Sequence, residues 1–597
     1  MDTTQKISQV GVNIQEKAAV IWNVANSLFG AYKPHEYGLV ILPMVVIKRF
    51  HDCLLPTQAA VVAKFKALEL TKVVVKEPFL LRASGYKFFN TSEYTFEKLK
   101  ADPENIKVNF EAYLNGFSDN VMDILARMDF FTQLERMANA GLLYQVISDF
   151  CDEKADMRPE KISAVDMGYI FENLVQRFSE SYDEEAGAHF TSRDIIYLMC
   201  DLLTDRLPMS KEGQLYTVYD MAMGTSQMLT CMEERMSALD KAAKLICYGQ
   251  EINPFTFGIA KADMLIRGGD PENMQFGDTL SDDKFGGMTF DFVISNPPFG
   301  IDWKREEKKV VAEHKLGSGG RFGAGLPSKS AGQMLFLMNG IAKLKDTGRM
   351  AIIQNGSSLF TGDAGSGPSE IRRTIIESDW LDAIVQLPND SFYNTGIATY
   401  IWIITKDKPL SHREHVLLID ASQCYEQRRK PIGNKRVDIT KEARELIVRV
   451  YGEYREGTFE EATANKRKIV CKAKRMPILS LGYNKITVES PLLDEEGKPV
   501  MKKGKFAADS SKRDTEIVPL DEDMDAYFER EVKPYNPDAW IDHSKDKVGY
   551  EIPFTRTFYE FKPLEAAAVI AERIGTREKR LMGKLDVLFG NGGDQDG

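Results

Sequence analysis

Apolar residues recur along this chain with two different periods, and the change between them marks its main division. From the start to about residue 155 they follow the helical period. Trp22, Ala25, Leu28 and Phe29 fall on one face, Tyr37 to Leu55 reads as a strongly apolar helix interrupted by Pro43, and Phe110 to Phe150 continues the pattern. From about 160, short β-branched and aromatic runs alternate with helical stretches. Tyr216–Tyr219, Leu245–Tyr248, Phe290–Ser295, Met350–Gln354, Ala383–Leu387 and Tyr400–Thr405 read as strands, with helices such as Met228–Lys244 and Pro254–Ile266 between them. Buried strands joined by helices predict an α/β fold with a doubly wound sheet. The last two strands are close enough for an antiparallel hairpin through Pro388 and Gly396. The Gly-rich stretches Trp303–Ser330 and Thr361–Ser369 read as mobile surface loops.

Beyond about 410 the chain is polar and less regular, and Asp494 to Arg513 is charged enough to be flexible. Pro563 to Phe589 returns to an amphipathic helix carrying Leu564, Ala568, Ile570, Ile574, Leu581, Leu585 and Leu588. That helix suits packing on the chain's own core or on a partner helix. The expected organisation is a helical N-terminal domain over 1–155, an α/β domain over 160–410 and a partly helical C-terminal region over 411–597.

A chain of 597 residues exceeds what one core supports. Its 43% hydrophobic and 28% charged residues are ordinary for a soluble globular protein. The net charge of −11 argues against an unaided electrostatic grip on nucleic acid. Cysteines 53, 151, 200, 231, 247, 424 and 471 lie far apart with no Cys-x-x-Cys pair, which fits reduced thiols and no metal site. The apolar run Val40 to Ile47 is too short to span a bilayer, and no basic-apolar signal segment opens the chain. A cytoplasmic location without a membrane is therefore expected. No Gly-x4-Gly-Lys-Ser/Thr suggests an ATP-driven motor.

The sharpest chemical feature is Asn296-Pro297-Pro298-Phe299, directly after the strand Phe290–Ser295. The strand delivers an amide, a rigid Pro-Pro backbone and an aromatic ring to the carboxyl edge of the sheet, where open α/β folds bind ligands. Those groups suit methyl transfer to an exocyclic amine, whose lone pair is conjugated into its ring. The Asn296 side-chain oxygen and the Pro297 carbonyl can accept from the NH2 and localise that lone pair, while Phe299 can stack on the base.

A cofactor constellation surrounds this motif. Val218-Tyr219-Asp220-Met221-Ala222-Met223-Gly224-Thr225-Ser226-Gln227 runs from a strand through a small-residue turn into a helix N-terminus, which attracts polar ligand groups. The next strand ends in Gly249-Gln250-Glu251, at the spacing where nucleoside-binding folds hold ribose hydroxyls; Glu251 could instead cap the helix after Asn253-Pro254. Asp278 in Phe276-Gly277-Asp278-Thr279 could accept from an adenine amino group. Upstream, Gly187-Ala188-His189-Phe190-Thr191-Ser192-Arg193 precedes the apolar helix Ile195–Leu203, with Thr191 or Ser192 as its possible N-cap.

In this order the motifs resemble the modification (M) subunit of type I restriction–modification systems, among the N6-adenine DNA methyltransferases of the γ arrangement. The resemblance begins at Trp22-Asn23 and Tyr37 to Pro43. It runs through Gly168-Tyr169-Ile170-Phe171-Glu172 and the motifs above to Gly348–Ile353, Ile384–Pro388 and Phe392–Ile397. It implies a Rossmann-like methyltransferase sheet and methyl transfer from S-adenosylmethionine to adenine N6 in double-stranded DNA. Asn296, Pro297, Pro298 and Phe299 would then hold a flipped-out base, because the target amine is otherwise paired and stacked. Ala188, His189, Phe190, Thr191, Ser192 and Arg193, with Asp220, Ala222, Gly224, Thr225, Ser226 and Gln227, would wrap the methionine part of the cofactor. Glu251 would bind its ribose, and Asp278 and Thr279 would lie by its adenine. A separate specificity (S) subunit and an endonuclease–translocase (R) subunit are implied as partners, with a pair of these chains in each complex. The chain departs from the family pattern at Met221 and Ser192, where Pro is usual, and at Ser226-Gln227, where a small-Gly pair is usual. Competing readings are a non-catalytic scaffold of the same fold and, more distantly, a protein-glutamine methyltransferase.

Overall fold

The computed structural model describes residues 18–179, 191–207, 214–393, 395–502, 504–561 and 565–589. The chain divides into two compact units, Met1–Ile552 and Pro553–Gly597, taken separately below.

The first unit is built on a sheet whose strands are β1 (Leu215–Asp220), β2 (Lys244–Glu251), β3 (Met274–Phe276), β4 (Phe290–Ser295), β5 (Leu344–Asn355), β6 (Leu381–Gln386) and β7 (Thr399–Thr405). It continues through β8 (His415–Asp420), past the separate hairpin β9 (Glu426–Ile432) and β10 (Lys435–Asp438), to β11 (Gly457–Ala462) and β12 (Lys468–Pro477). The spatial order is β11-β12-β8-β6-β7-β5-β4-β1-β2-β3. Strands β3, β2, β1, β4 and β5 are parallel neighbours, and β7 inserts antiparallel between β5 and β6 as the expected hairpin partner of β6. All residues of β7 are buried, with Trp402 fully so; this two-sided burial is why the strand is a near-continuous apolar run. Connections run outward in opposite directions from β1 and β4. The carboxyl ends of these neighbours therefore flank the crevice where ligands enter such sheets.

The sheet does not end near residue 410. Strand β8 pairs parallel with β6, and β12 and β11 add antiparallel strands beyond it. The helix expected over Met228–Lys244 is shorter, Gln227–Leu239, because Asp240 leaves the helix and its carboxylate caps the Ala242 N–H in an Asx turn before β2. The segment 494–513 is not loose: Met501–Lys502 and Lys505–Phe506 pair as a small hairpin. Nor is 303–330 a free loop. It contains the helix Glu307–His314, buries Trp303, Val310 and Phe322, and is pinned by Arg321, which donates to the Thr279 and Leu280 carbonyls.

Helices dominate the region before the sheet. Tyr37–Leu54 runs unbroken through Pro43; almost every side chain of this helix is buried, so packing outweighs the one backbone bond that proline removes. Leu28 and Ala25 are buried as expected, whereas Phe29 is 82% exposed just past the end of its helix. The helix Pro254–Ile266 joins the two cores: Ile259, Ala262 and Leu265 face the helical region, while Phe257, Ala260 and Met264 face the sheet. Gly258 permits that contact, since a Cβ there would lie 2.7 Å from Met128 Cγ and 3.3 Å from the Ile124 carbonyl.

The second unit contains the helix Ala567–Phe589, on which Val569, Ile570, Ile574, Leu581, Met582 and Leu585 are exposed. Leu564 lies outside the described residues, and so does the side chain of Leu588. No described helix is long and apolar enough to cross a membrane.

Candidate active site

Strand β1 ends in Asp220, which is 1% exposed. Its Oδ1 accepts from Ser295 Oγ at the end of β4 (2.7 Å) and from the Ala222 N–H (3.1 Å). Burial pushes this carboxyl up to about 7 despite those two bonds. The turn that follows is held from below: the Met223 N–H donates to the Gln250 carbonyl, and Gly224, at φ +53°, donates its N–H to Glu251 Oε2 (2.8 Å). Ser226 also sits in the left-handed region, at φ +63°, as the N-cap position of Gln227–Leu239. Its hydroxyl and the Gln227 amide nitrogen are buried with no hydrogen-bond partner among the described residues.

Glu251 does not cap the helix that follows it. Asn253 does, accepting from the Phe255 and Thr256 N–H groups. Glu251 instead joins the end of β2 to the glycine turn, taking the Asn253 N–H on Oε1 (2.7 Å) and the Gly224 N–H on Oε2. Asp278 accepts from the Leu280 N–H and the Ser281 hydroxyl. Buried Thr279 donates to the Met221 carbonyl (2.6 Å), tying this loop to the Asp220 turn.

Asn296 follows β4 directly. Its Nδ2 donates to Thr191 Oγ1 at 2.8 Å, and its Oδ1 is buried with no hydrogen-bond partner among the described residues. Thr191, Asp220, Ala222, Thr225, Gln227 and Asn296 line one cavity with Ile196, Met223 and Met228. Pro297 is buried, and Phe299 is half-buried against the sheet core. Ser192 occupies the N-cap position of the helix Arg193–Thr204 but makes no side-chain cap bond. Arg193 stacks 3.5 Å from the Tyr169 ring centroid and bonds Tyr197 and Glu234; it lines a neighbouring cavity that shares Thr225 and Gln227 with the first. Ala188, His189 and Phe190 lie outside the described residues.

Most of the residues singled out from sequence thus converge on the carboxyl ends of β1, β2 and β4. Ser295, Ile196, Met223 and Met228 were not singled out. Ser295 had one signal: a polar side chain closing an otherwise apolar strand, where a buried hydroxyl needs a partner.

A doubly wound sheet with an amide and a carboxylate at its switch point, followed by Pro-Pro-Phe, defines a methyltransferase acting on an exocyclic amine. The family model described as N-6 DNA methylase matches residues 163–486, and that of the HsdM N-terminal domain matches 17–150. The chain belongs to the N-6 DNA methylase family, as a type I restriction–modification methylase subunit that methylates adenine N6. Among its relatives, the type I restriction enzyme MjaIX methylase subunit of Methanocaldococcus jannaschii is 23% identical over 462 residues, covering 74% of this chain and 78% of that one. The HindI methylase subunit of Haemophilus influenzae is 29% identical over 269 residues, 44% of this chain and 56% of that one. The crystal structure of the type I restriction–modification system methyltransferase subunit from Streptococcus thermophilus shares the fold, with a TM-score of 0.60 at 21% identity over 78% of this chain and 97% of that one.

Proposed function

We propose that this chain takes its methyl group from S-adenosylmethionine and delivers it to an adenine flipped out of double-stranded DNA. The observation that carries the reading is Asn296 Oδ1: a buried acceptor without a partner among the described residues, in the same cavity as Asp220. A buried acceptor left open at the end of a strand suits an incoming N–H donor. Accepting from the adenine amine, it localises the lone pair on nitrogen, and the Pro297 carbonyl takes the second N–H. Phe299 supplies the face on which the base stacks.

The residue types around this cavity and the neighbouring strand ends suit the cofactor. Asp220 would face its cationic methionine end, the turn from Ala222 to Gln227 and the stretch from Thr191 to Arg193 would face its polar groups, and Glu251 would take its ribose hydroxyls; the resemblance adds Ala188, His189 and Phe190. Asp278 and Thr279 take the adenine side. When bound, the cofactor supplies an electrophilic methyl group on a sulfonium. Asp220 makes the fit pH-dependent. Its neutral form prevails below about 7, and a cationic ligand favours the carboxylate. Cofactor affinity should therefore rise with pH through about 7, falling by up to about tenfold per unit below it. Calorimetry between pH 6 and 8 checks this, with Asp220→Asn expected to flatten the profile. A flat wild-type profile would remove Asp220 from the cofactor's cationic end.

A net charge of −11 supports a division of labour in which a separate specificity subunit reads the DNA. The family resemblance adds an endonuclease–translocase subunit for cleavage and a pair of these chains per complex, in the cytoplasm. We assign the N-terminal helices to closing around DNA, the sheet to catalysis, and the exposed apolar face of Ala567–Phe589 to the partner. Alone, the chain should bind duplex DNA weakly and without sequence preference; with the specificity subunit, binding should become selective and tritium from labelled cofactor should enter DNA. Removing the residues after Leu564 should break co-purification with that subunit while cofactor binding persists. Site-specific methylation by the isolated chain would overturn the division of labour, and assembly of the truncated chain would return the helix to its own protein.

A further inference from the structure

An asparagine that activates an amine must present oxygen, not nitrogen, to it. The two ends of a side-chain amide have nearly the same shape, so packing alone does not choose between them. At Asn296 one end is anchored: Nδ2 donates to Thr191 Oγ1 at 2.8 Å, and the buried Oδ1 has no hydrogen-bond partner among the described residues. The hydroxyl can pair with either end of the amide, so an incoming amine N–H, which can only donate, selects Oδ1 while Thr191 accepts from Nδ2. Thr191 is itself buried, at 6% exposure. It directly precedes the Ser192 N-cap of the helix Arg193–Thr204, which buries Ile195, Ile196, Leu198 and Met199 completely in the sheet core. The hydroxyl is therefore carried next to a packed helix start. Thr191 and Asn296 line the same cavity.

From this geometry we infer that Thr191 is a positioning residue for methyl transfer, its hydroxyl holding the Asn296 amide so that Oδ1 meets the target amine. The inference rests on the reading of Asn296 given above and extends it. With substrate bound, both ends of the amide are used, Nδ2 on Thr191 and Oδ1 on the adenine N–H. A bond donated from Nδ2 also draws electron density toward Oδ1, strengthening it as an acceptor. This differs from a cofactor contact, the role that resemblance alone gives to Thr191. A cofactor contact would act on cofactor affinity; a positioning contact acts on the rate once cofactor and DNA are bound.

The test uses the full chain with its DNA-reading partner and the variants Thr191→Val, Thr191→Ser and Asn296→Ala. Single-turnover methyl transfer is followed at saturating labelled S-adenosylmethionine, together with KM, cofactor affinity by calorimetry, and thermal stability. Thr191→Val keeps the shape and removes the acceptor, so the rate should fall by about tenfold or more while KM and affinity for the cofactor stay within about threefold. Thr191→Ser restores the hydroxyl and should recover most of the rate. If Thr191→Val folds poorly, Thr191→Ala carries the same expectations.

An unchanged rate at saturating cofactor in Thr191→Val overturns the inference, as does a loss confined to cofactor affinity. So does a Thr191→Ser variant as slow as Thr191→Val, because the hydroxyl would then not be the cause. Asn296→Ala separates the levels of failure. If it is inactive while Thr191→Val is fast, only the positioning role falls; if it is active, the assignment of the amine-activating residue falls with it.

Discussion

Asn296→Ala should lower methyl transfer by about a thousandfold or more while S-adenosylmethionine binds as tightly as before. The expectation follows from where the side chain stands. It extends from the end of β4, a strand buried almost throughout, so removing its amide takes away an acceptor without unseating the strand. Its Oδ1 has no partner among the described residues, so nothing in the described protein depends on that oxygen. Among the described residues the one bond lost is to Thr191, worth about 1 kcal/mol net, so the fold should tolerate the change. The adenine amine, by contrast, loses the group that localises its lone pair. Phe299→Ala should weaken binding of the flipped base more than it harms the fold, since Phe299 is only half-buried against the sheet. Incorporation of labelled methyl into DNA measures both variants. A rate for Asn296→Ala within a few-fold of wild type would mean that another group activates the amine.

What was legible in the sequence is local. Strand β4 was read at its observed bounds because both its faces are buried and Pro297 and Pro298 stop it. The helix Pro254–Ile266 was read equally well because Asn253 caps it and Pro254 opens it. Strand β8 was missed despite its buried apolar run Val416–Ile419, whereas other missed strands have remote support. Strand β11, Gly457–Ala462, is almost wholly exposed and carries two glutamates, so no apolar run announces it; pairing with β12 makes it a strand. Pro43 shows the reverse, a local helix-breaking signal overridden by burial on all sides. The site divides in the same way. The residue types around Gly224, Glu251 and Asn296 could be read in order along the chain, but their partnerships could not. Asn296 and Thr191 lie 105 positions apart and Asp220 and Ser295 lie 75 apart, separations that only the sheet closes. A separation of 58 positions likewise hid the strut from Thr279 to Met221.

Glu251→Ala should raise the dissociation constant for S-adenosylmethionine by about 10–100-fold, the loss of a hydrogen bond to a charged group worth about 1.5–3 kcal/mol. The geometry offers two routes to that loss. Glu251 can receive ribose hydroxyls on the lone pairs left free by the Asn253 and Gly224 N–H groups, and it also braces the glycine turn through Gly224. Gln is not a conservative replacement here. Each carboxylate oxygen faces a backbone N–H, and an amide can accept only one of the two, leaving its own NH2 against a donor. A cofactor analogue lacking the ribose hydroxyls separates the routes when calorimetry is run on both proteins with both ligands. If Glu251 acts on the hydroxyls, the analogue binds wild type weakly and loses nothing further in Glu251→Ala. If it acts by bracing Gly224, the variant loses the same factor for both ligands. Unchanged affinity of Glu251→Ala for S-adenosylmethionine itself would reduce Glu251 to a link between β2 and the glycine turn and move the ribose contact elsewhere.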